Sequence, residues 1–187
     1  MRKYVDILAL LALAVMLAVG CQSSADKGDK KENPPAAVKK VTVAGIGLGD
    51  SGKDVKQKLG MDYMSESMDG DWFGEPASRW LYDDDVEVIM GDETGKVLQV
   101  NLYDDDYTAP NGCRVGDKAE KVLPAYADKY PLAQDHFEGN ELPGWFVVEE
   151  GVWLIFNFKD DDTLVNQPIA PEDKVESVHL VYESFMD

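Results

Sequence analysis

A short segment of this chain occurs twice at a constant offset of 67 residues, and this repeat constrains the fold more than any other feature. Residues Gly45–Val55 align with Gly112–Val122, and in both copies an apolar lead-in runs into Gly-Asp and then a helical pattern. In the first copy Asp50 or Ser51 can accept hydrogen bonds from the first helical N–H groups. In the second, Asp117 is followed three residues later by Glu, the spacing of a capping box. The sequence therefore predicts two helices that begin at equivalent places.

Each predicted helix carries an apolar stripe and is followed by β-favouring segments. Val55 and Leu59 lie one turn apart in the first copy, as Val122 and Tyr126 do in the second. Pro124 is expected to kink or end the second helix early. Two β-favouring runs joined by a Gly-Asp-Glu-Thr-Gly turn predict a hairpin in the first copy. The expected fold class is α+β, with two tandem copies of a helix followed by about three antiparallel strands.

The two copies divide the body of the chain into residues 41–108 and 109–187. A tryptophan opens the strand region of each copy, Trp80 in the first and Trp145 in the second. We expect the two rings to occupy equivalent sites beneath the two helices, where large apolar side chains are buried.

These residues carry a resemblance to known proteins. The pattern I-x-L-G-D-S-x-x-x-V-x-x-x-L-G, then a W-x-Y strand and a hairpin ending in G-K-V-x-x-V, resembles the modules of BamE/SmpA-type outer-membrane assembly lipoproteins and of tandem β-lactamase-inhibitor-protein folds. The resemblance covers nearly all of residues 44–182 and implies a helix-plus-meander repeat. The matching positions are caps, turns and core residues, so the resemblance assigns no functional residue.

The first 20 residues have the layout of a secretory signal, with Arg2 and Lys3 ahead of a 13-residue apolar run. A membrane-spanning helix needs about 20 apolar residues, which disfavours a permanent transmembrane anchor. The segment Leu17–Cys21 resembles the lipobox of bacterial lipoproteins. That resemblance implies that Cys21 is lipidated and that residues 1–20 are removed. The alternative is a soluble secreted protein in which Cys21 is incidental.

A linker and a strong negative charge follow from the composition. Residues 21–40 lack aromatic side chains and contain two adjacent prolines, which predicts a flexible tether after the acylated cysteine. The net charge of −18 argues against nucleic acid as a partner, and any protein or other partner is expected to be basic, cationic or neutral. The expected location is the cell envelope, on the outer face of the cytoplasmic membrane or, in a two-membraned bacterium, on the outer membrane.

The sequence shows no catalytic constellation, so we expect a protein that is not an enzyme and has no cofactor beyond the covalent lipid. His136 and His179 are the two histidines, and alternation along the last strand predicts that His179 faces solvent. Cys113 aligns with an apolar position and is expected in the core. The group Asp135–Glu138 combines one histidine with carboxylates, which is a weak metal-binding pattern.

Three aspartate triplets lie beside predicted strand ends. Calcium favours clustered carboxylate oxygens in flexible loops, so a calcium-binding or calcium-stabilised module is the alternative function. The other interpretation is that aspartate suits turns and blocks edge-to-edge aggregation. The candidate ligands are Asp83, Asp84, Asp85, Asp104, Asp105, Asp106, Asp160, Asp161 and Asp162.

Three aromatic residues lie in irregular segments between helix and sheet, outside the predicted core: Trp72, Phe73 and Phe137. Aromatic side chains of this kind are frequent anchors of protein interfaces. The alternative for them is a lid folded onto the sheet. The leading hypothesis is a membrane-anchored envelope lipoprotein that binds another protein or an envelope component through its acidic body.

Overall fold

The computed structural model describes residues 40–68, 72–158, 163–166 and 168–186. The predicted signal peptide, Cys21, the tether up to residue 39 and the triplet Asp160–Asp162 lie outside the described residues. Within the described ranges, no helix has the length and apolar character needed to cross a membrane.

Two helices and eight strands make up the described body. In chain order they are α1 (Gly52–Leu59), β1 (Met64–Met68), β2 (Ala77–Tyr82), β3 (Val86–Gly91), β4 (Val97–Leu102), α2 (Ala119–Ala127), β5 (Leu132–Gln134), β6 (Glu141–Glu149), β7 (Val152–Asn157) and β8 (Ser177–Tyr182). All eight strands belong to one antiparallel sheet in the order β1-β2-β3-β4-β8-β7-β6-β5. Short 3-10 helices lie at Pro110–Gly112 and Glu183–Phe185.

The prediction of two tandem copies, each a helix followed by about three strands, is wrong. Four strands follow each helix, and β4 pairs with β8, so both sets of strands belong to a single sheet in one domain. Two separate units would leave β4 and β8 as open edges, and their pairing satisfies those backbone groups. The BamE/SmpA-like repeat implied by the resemblance is wrong for the same reason.

The sequence correspondence between the two copies is also visible in local hydrogen bonds. The Gly49 N–H donates to the Val97 carbonyl oxygen, and the Gly116 N–H donates to the Val175 carbonyl oxygen, each at 2.7 Å. These bonds tie the segment before each helix to Val97, the first residue of β4, and to Val175, two residues before β8. They position each helix against the sheet without dividing the domain.

Helix α1 begins where the sequence predicted. The Ser51 hydroxyl accepts the Asp54 N–H at 3.2 Å, and the Asp54 carboxylate accepts the Ser51 N–H at 3.1 Å, which is a reciprocal capping box. Asp50 has a different role, because it binds Lys40 and Lys58 at 2.7 and 2.9 Å. Although burial opposes the shift, these hydrogen bonds lower the pKa of Asp50 to about 2. The predicted cap at Ser51 is confirmed.

Helix α2 lacks the capping box that its sequence predicted. Its N-cap is Lys118, which makes no side-chain cap bond. The Asp117 carboxylate instead accepts the Arg114 N–H at 2.9 Å and the Lys121 ammonium at 2.6 Å. Asp117 therefore stabilises the turn before the helix, and the prediction of a capping box at α2 is wrong.

Pro124 does not end α2, because the helix continues to Ala127. A proline inside a helix removes one backbone hydrogen bond and crowds the preceding turn. Tyr126, one turn from the buried Val122, packs its ring against Phe156 with centroids 4.7 Å apart. This burial offsets the local cost. The predicted early end is wrong, and the alternative of a kink at Pro124 stays a prediction.

Both helices pack on one face of the sheet. An apolar row crosses that face through opposed residues on six neighbouring strands: Trp80, Val88, Val100, Leu180, Leu154 and Phe146. Trp80 lies beneath α1 as predicted, where its ring stacks on Tyr63 at 4.6 Å between centroids. Strand alternation directs one residue in two toward this face.

Trp145 does not occupy the equivalent site beneath α2. Its ring meets Trp153 on the opposite face at 5.6 Å between centroids, and its indole N–H donates to the Leu164 carbonyl oxygen at 2.9 Å. Phe146 lies beneath α2 instead, 5.4 Å from the Tyr126 ring. Because side chains alternate between faces, an error of one residue reverses the face, and the prediction for Trp145 is wrong.

Candidate functional site

A chain of polar side chains crosses the centre of the sheet on the face opposite the helices. The Ser177 hydroxyl lies 2.7 Å from Nε2 of His179, and Nδ1 of His179 lies 2.8 Å from Oδ1 of Asn101. The Asn101 side-chain amide also donates to the Glu87 carboxylate at 2.7 Å. The pairing of β3, β4 and β8 brings these residues together, because Glu87 lies on β3, Asn101 on β4, and Ser177 and His179 on β8.

The hydrogen-bond partners fix the tautomer of His179. Because the Asn101 NH₂ group donates to Glu87, the amide oxygen must face the imidazole and accept from Nδ1–H. Nε2 is then an acceptor, and the Ser177 hydroxyl donates to it. This is the donor order of a serine nucleophile, its base and an orienting group.

Burial prevents this triad from acting as a catalytic site. Ser177, His179 and Asn101 are each less than a tenth exposed, and the cavities described below are lined by other residues. Burial lowers the pKa of His179 to about 4, so the imidazole is a poor general base near neutral pH. The arrangement instead satisfies polar groups inside the sheet and fixes the register of β4 against β8.

The prediction that His179 faces solvent is wrong. Strand β8 lies in the middle of the sheet, where the helix face and the opposite face are both packed. An alternating pattern indicates an exposed face only when that face is free. The serine two residues before the histidine on the same strand was the available signal, since i and i+2 share a face.

The loop between β5 and β6 presents Phe137 on a fixed backbone. The Asp135 carboxylate accepts the N–H groups of Phe137, Glu138 and Asn140 at 3.0, 2.6 and 2.8 Å. These backbone hydrogen bonds, with that of Glu138 the strongest, lower the pKa of Asp135. The Phe137 side chain is 94% exposed at the tip of this turn. The loop therefore holds a large apolar ring in solvent with little backbone freedom.

An open cavity of about 440 Å³ adjoins this loop. The His136 ring stacks over Trp153 with centroids 5.5 Å apart, and Nε2 of His136 lies 4.0 Å from the Glu183 carboxylate. Gln134 and Asp135 complete the polar part of the wall. Aromatic rings beside carboxylates form a suitable environment for the side chain of a lysine or arginine.

The group Asp135–Glu138 does not assemble as a metal centre. Both carboxylate oxygens of Asp135 accept backbone N–H groups, and the His136 ring lies on Trp153. Sequence reasoning named this group for its histidine and missed Asp135 as the residue that shapes the loop. The signal was present, because Asp followed by Gly-Asn four residues later is typical of a tight turn.

The three predicted aromatic anchors do not form one surface. Trp72 is 74% exposed in the connection between β1 and β2 at one edge of the sheet, whereas Phe137 lies in the turn between β5 and β6 at the other edge. Phe73 packs edge-on against Phe185 at 5.0 Å and joins a small core with Ile89. Phe73 thus matches the alternative of an aromatic folded onto the sheet.

Two of the three aspartate triplets converge at one end of the sheet. The Tyr103 N–H, next to the second triplet, donates to the Asp85 carbonyl oxygen at 2.8 Å. Burial, then the charges of Asp104 and Asp106, raises the pKa of Asp85. In the part of the chain that the structure describes, Asp104–Asp106 is the group whose ligand atoms lie close enough, within 4.8 Å, for one metal ion.

Cys113 is buried, as predicted. Its side chain is 3% exposed, and burial raises the pKa of its thiol. A reactive cysteine needs an exposed, electropositive environment that favours the thiolate. Cys113 therefore serves as a small core residue.

Comparisons with known proteins give one fold relative. No protein-family model matches the chain, and no curated protein matches it. A solved structure does match, that of an extracellular protein containing an SCP domain from Bacillus anthracis str. Ames, with a TM-score of 0.50 and 16% sequence identity. The match covers 84% of this chain and 51% of that chain, so this chain spans about half the length of its relative. The likeness concerns the fold alone, and it replaces the BamE/SmpA-like resemblance.

Proposed function

We propose that this chain is a non-enzymatic, lipid-anchored protein of the bacterial cell envelope that binds a protein partner through the Phe137 loop. The secretory layout and lipobox of residues 1–21 support the anchor at Cys21. The fold relative is described as extracellular, which is compatible with a location outside the cytoplasm. Mass spectrometry of the amino-terminal peptide tests the anchor.

The exposure of Phe137 is the observation that carries the binding proposal. A phenylalanine that is 94% exposed leaves apolar area in water, and its burial in a partner recovers that free energy. Asp135 fixes the backbone of the loop before binding, so association orders little additional chain. Rigid aromatic anchors of this kind dominate the energetics of many interfaces.

The charges around the loop indicate the chemistry of the partner. Glu138 and Glu183 lie near Phe137 and the adjoining cavity, and the whole chain has a net charge of −18. A partner with an apolar pocket and a basic rim fits this surface. The negative field accelerates its approach, and salt weakens this effect.

We expect the Phe137→Ala variant to capture much less of the partner from detergent-solubilised envelopes of the source cells than the unmodified protein does. The variant loses the apolar anchor while the Asp135 turn persists. Quantitative mass spectrometry of the captured proteins measures the effect. Val165→Ala is the matched control, because it also removes an exposed apolar side chain, 51% exposed, from a different loop.

Two outcomes would contradict the binding of a partner through the Phe137 loop. One is equal capture by Phe137→Ala and by the unmodified protein. The other is an equal loss in the Val165→Ala control, which would indicate nonspecific adhesion. Capture that rises with salt would contradict the basic rim proposed for the partner.

Calcium binding is the second candidate function. The ligand atoms of Asp104, Asp105 and Asp106 lie within 4.8 Å of one another, and a divalent cation would neutralise the negative charge concentrated there. We expect millimolar calcium to raise the melting temperature of the body and to have no such effect on the double variant Asp104→Asn, Asp106→Asn. Equal shifts in both proteins, or equal shifts with magnesium and calcium, would contradict a specific calcium site.

A further inference from the structure

The two edges of the sheet differ in how well they are protected. Strand β5 closes one edge with three residues, and its pairing with β6 contains a register shift. Strand β1 forms the other edge with five residues, Met64–Met68, in unbroken register with β2. It contains neither proline nor lysine nor a bulge, which are common means of blocking an edge, and Glu66 is its one charged residue.

The outer backbone groups of β1 have no strand partner among the described residues. β1 ends the strand order and pairs with β2 alone, and none of the other backbone hydrogen bonds found in the described ranges involves Met64–Met68. Met64, the first residue of the strand, is 57% exposed, and Met61, three residues before it, is 72% exposed. The edge therefore offers free N–H and C=O groups beside apolar side chains, which an added strand can use.

An acidic cavity lies at the beginning of this edge. It has a volume of about 390 Å³ and is lined by Asp62, Met64, Leu81, Asp83 and Asp84. Met64 and Leu81 are opposed on β1 and β2, so they form an apolar wall beside three carboxylates. A lysine side chain matches both parts, because its methylene stem packs on apolar surface while its ammonium group stays at the charged rim.

The same charges disfavour a second copy of this chain as the occupant. Two β1 strands paired antiparallel about Glu66 would place the two Glu66 carboxylates opposite each other and would add two acidic cavities, one at each end, to the same interface. In each copy Arg79, on β2, forms an ion pair with Glu66, on β1. The carboxylates of Asp62, Asp83 and Asp84 make no ion pair among the described residues. Like charges across an interface cost free energy, whereas a basic segment gains from them.

We propose that β1 accepts an extended basic segment of a partner protein as a ninth strand, with a lysine or arginine side chain in the Asp62–Asp84 cavity. Backbone hydrogen bonds to β1 supply affinity, and the cavity selects a basic residue at one alternate position. This goes beyond the Phe137 proposal, since it concerns the opposite edge of the sheet and does not require that loop.

The test uses a capped fluorescent heptapeptide in which valine and lysine alternate, titrated with the whole body by fluorescence anisotropy. We expect saturable binding that weakens at least tenfold in the double variant Asp62→Asn, Asp84→Asn. The control Asp128→Asn, Glu172→Gln removes the same charge from exposed sites elsewhere and should retain nearly full affinity. Melting temperatures establish that each variant is folded.

Two N-methylated peptides separate strand addition from simple charge attraction. In a strand, alternate N–H groups point to the same neighbour, so methylation of one alternate set should abolish binding and methylation of the other set should not. Equal binding by both methylated peptides, or by a peptide with glutamate in place of lysine, would overturn the proposal. A homodimer in analytical ultracentrifugation that resists the peptide would also overturn it, since the edge would then hold a second copy.

Discussion

Phe146→Ala should destabilise the body by about 3 to 5 kcal/mol, the usual cost of truncating a buried phenylalanine. Phe146 is 1% exposed and contacts the Tyr126 ring of α2 with centroids 5.4 Å apart. Its loss leaves a cavity between α2 and the second half of the sheet. Equilibrium unfolding in urea, followed by tryptophan fluorescence, measures the change.

Phe137→Ala is the matched control for this experiment. It makes the same chemical change at a position that is 94% exposed, so its effect should stay within about 0.5 kcal/mol. A common transition for both halves of the sheet is also expected, because β4 and β8 join them. If Phe146→Ala were as stable as Phe137→Ala, the packing of α2 described above would be incorrect.

The second large effect is a loss of stability in mild acid caused by His179. The unfolded chain binds a proton on this histidine below about pH 6.5, whereas burial delays protonation in the folded state to about pH 4. Neutral His179 therefore makes a contribution to the free energy of unfolding. This contribution is fully present above pH 6.5 and is lost as the pH falls toward 4. A shift of this size corresponds to about 3 kcal/mol.

The groups around the imidazole support this direction. Ser177 and Asn101 bind its two nitrogens, and the Tyr103 ring lies edge-on with centroids 6.1 Å apart. Glu87 reaches the histidine only through Asn101 and is itself near Arg79, at 3.6 Å. No carboxylate contacts the ring in the described network, so protonation leaves a buried charge without a direct counterion.

His179→Gln isolates this contribution. The variant lacks the titrating group, so its unfolding free energy should change less between pH 6.5 and pH 4, by about 3 kcal/mol, than that of the unmodified protein. The carboxylates titrate in both proteins, so their contributions to the pH dependence cancel in the comparison. Asp50, whose pKa is lowered to about 2, loses its contribution only below its ordinary value of 3.8. Parallel curves for the two proteins would contradict the role of His179.

Local signals in the sequence predicted local structure. The Ser51 cap, the buried Val55 and the turn between β3 and β4 follow from residue types within one or two turns of chain. The pairing of β4 with β8 could not be predicted in this way, because it joins residues 76 to 82 positions apart. That single pairing turns two expected units into one sheet.

The errors at Trp145 and His179 have a related origin. Both lie on strands whose two faces are packed, Trp145 on β6 and His179 on β8. Alternation assigns the face of a strand only when one side is solvated. The hydrogen-bond partner of each side chain, Leu164 for Trp145 and Asn101 for His179, comes from distant sequence.

The candidate site was only partly predictable. Phe137 was a candidate because it lies outside every predicted helix and strand, and its side chain is exposed in the structure. Trp72 is exposed as well, but Phe73 beside it packs against Phe185 near the carboxyl terminus. The sequence contains no sign of that contact, since the two residues are separated by most of the domain.

Photo-crosslinking at position 137 tests the central claim that the body binds a protein through this loop. A benzoylphenylalanine placed there in the source cells should give one dominant protein adduct, whereas the same group at position 165 should not give that adduct. Both positions are exposed, so nonspecific reaction would give the same adducts at the two sites. The account predicts an adduct specific to position 137 that diminishes when salt screens the acidic surface. Identical adducts at both positions, or none at position 137, would contradict it.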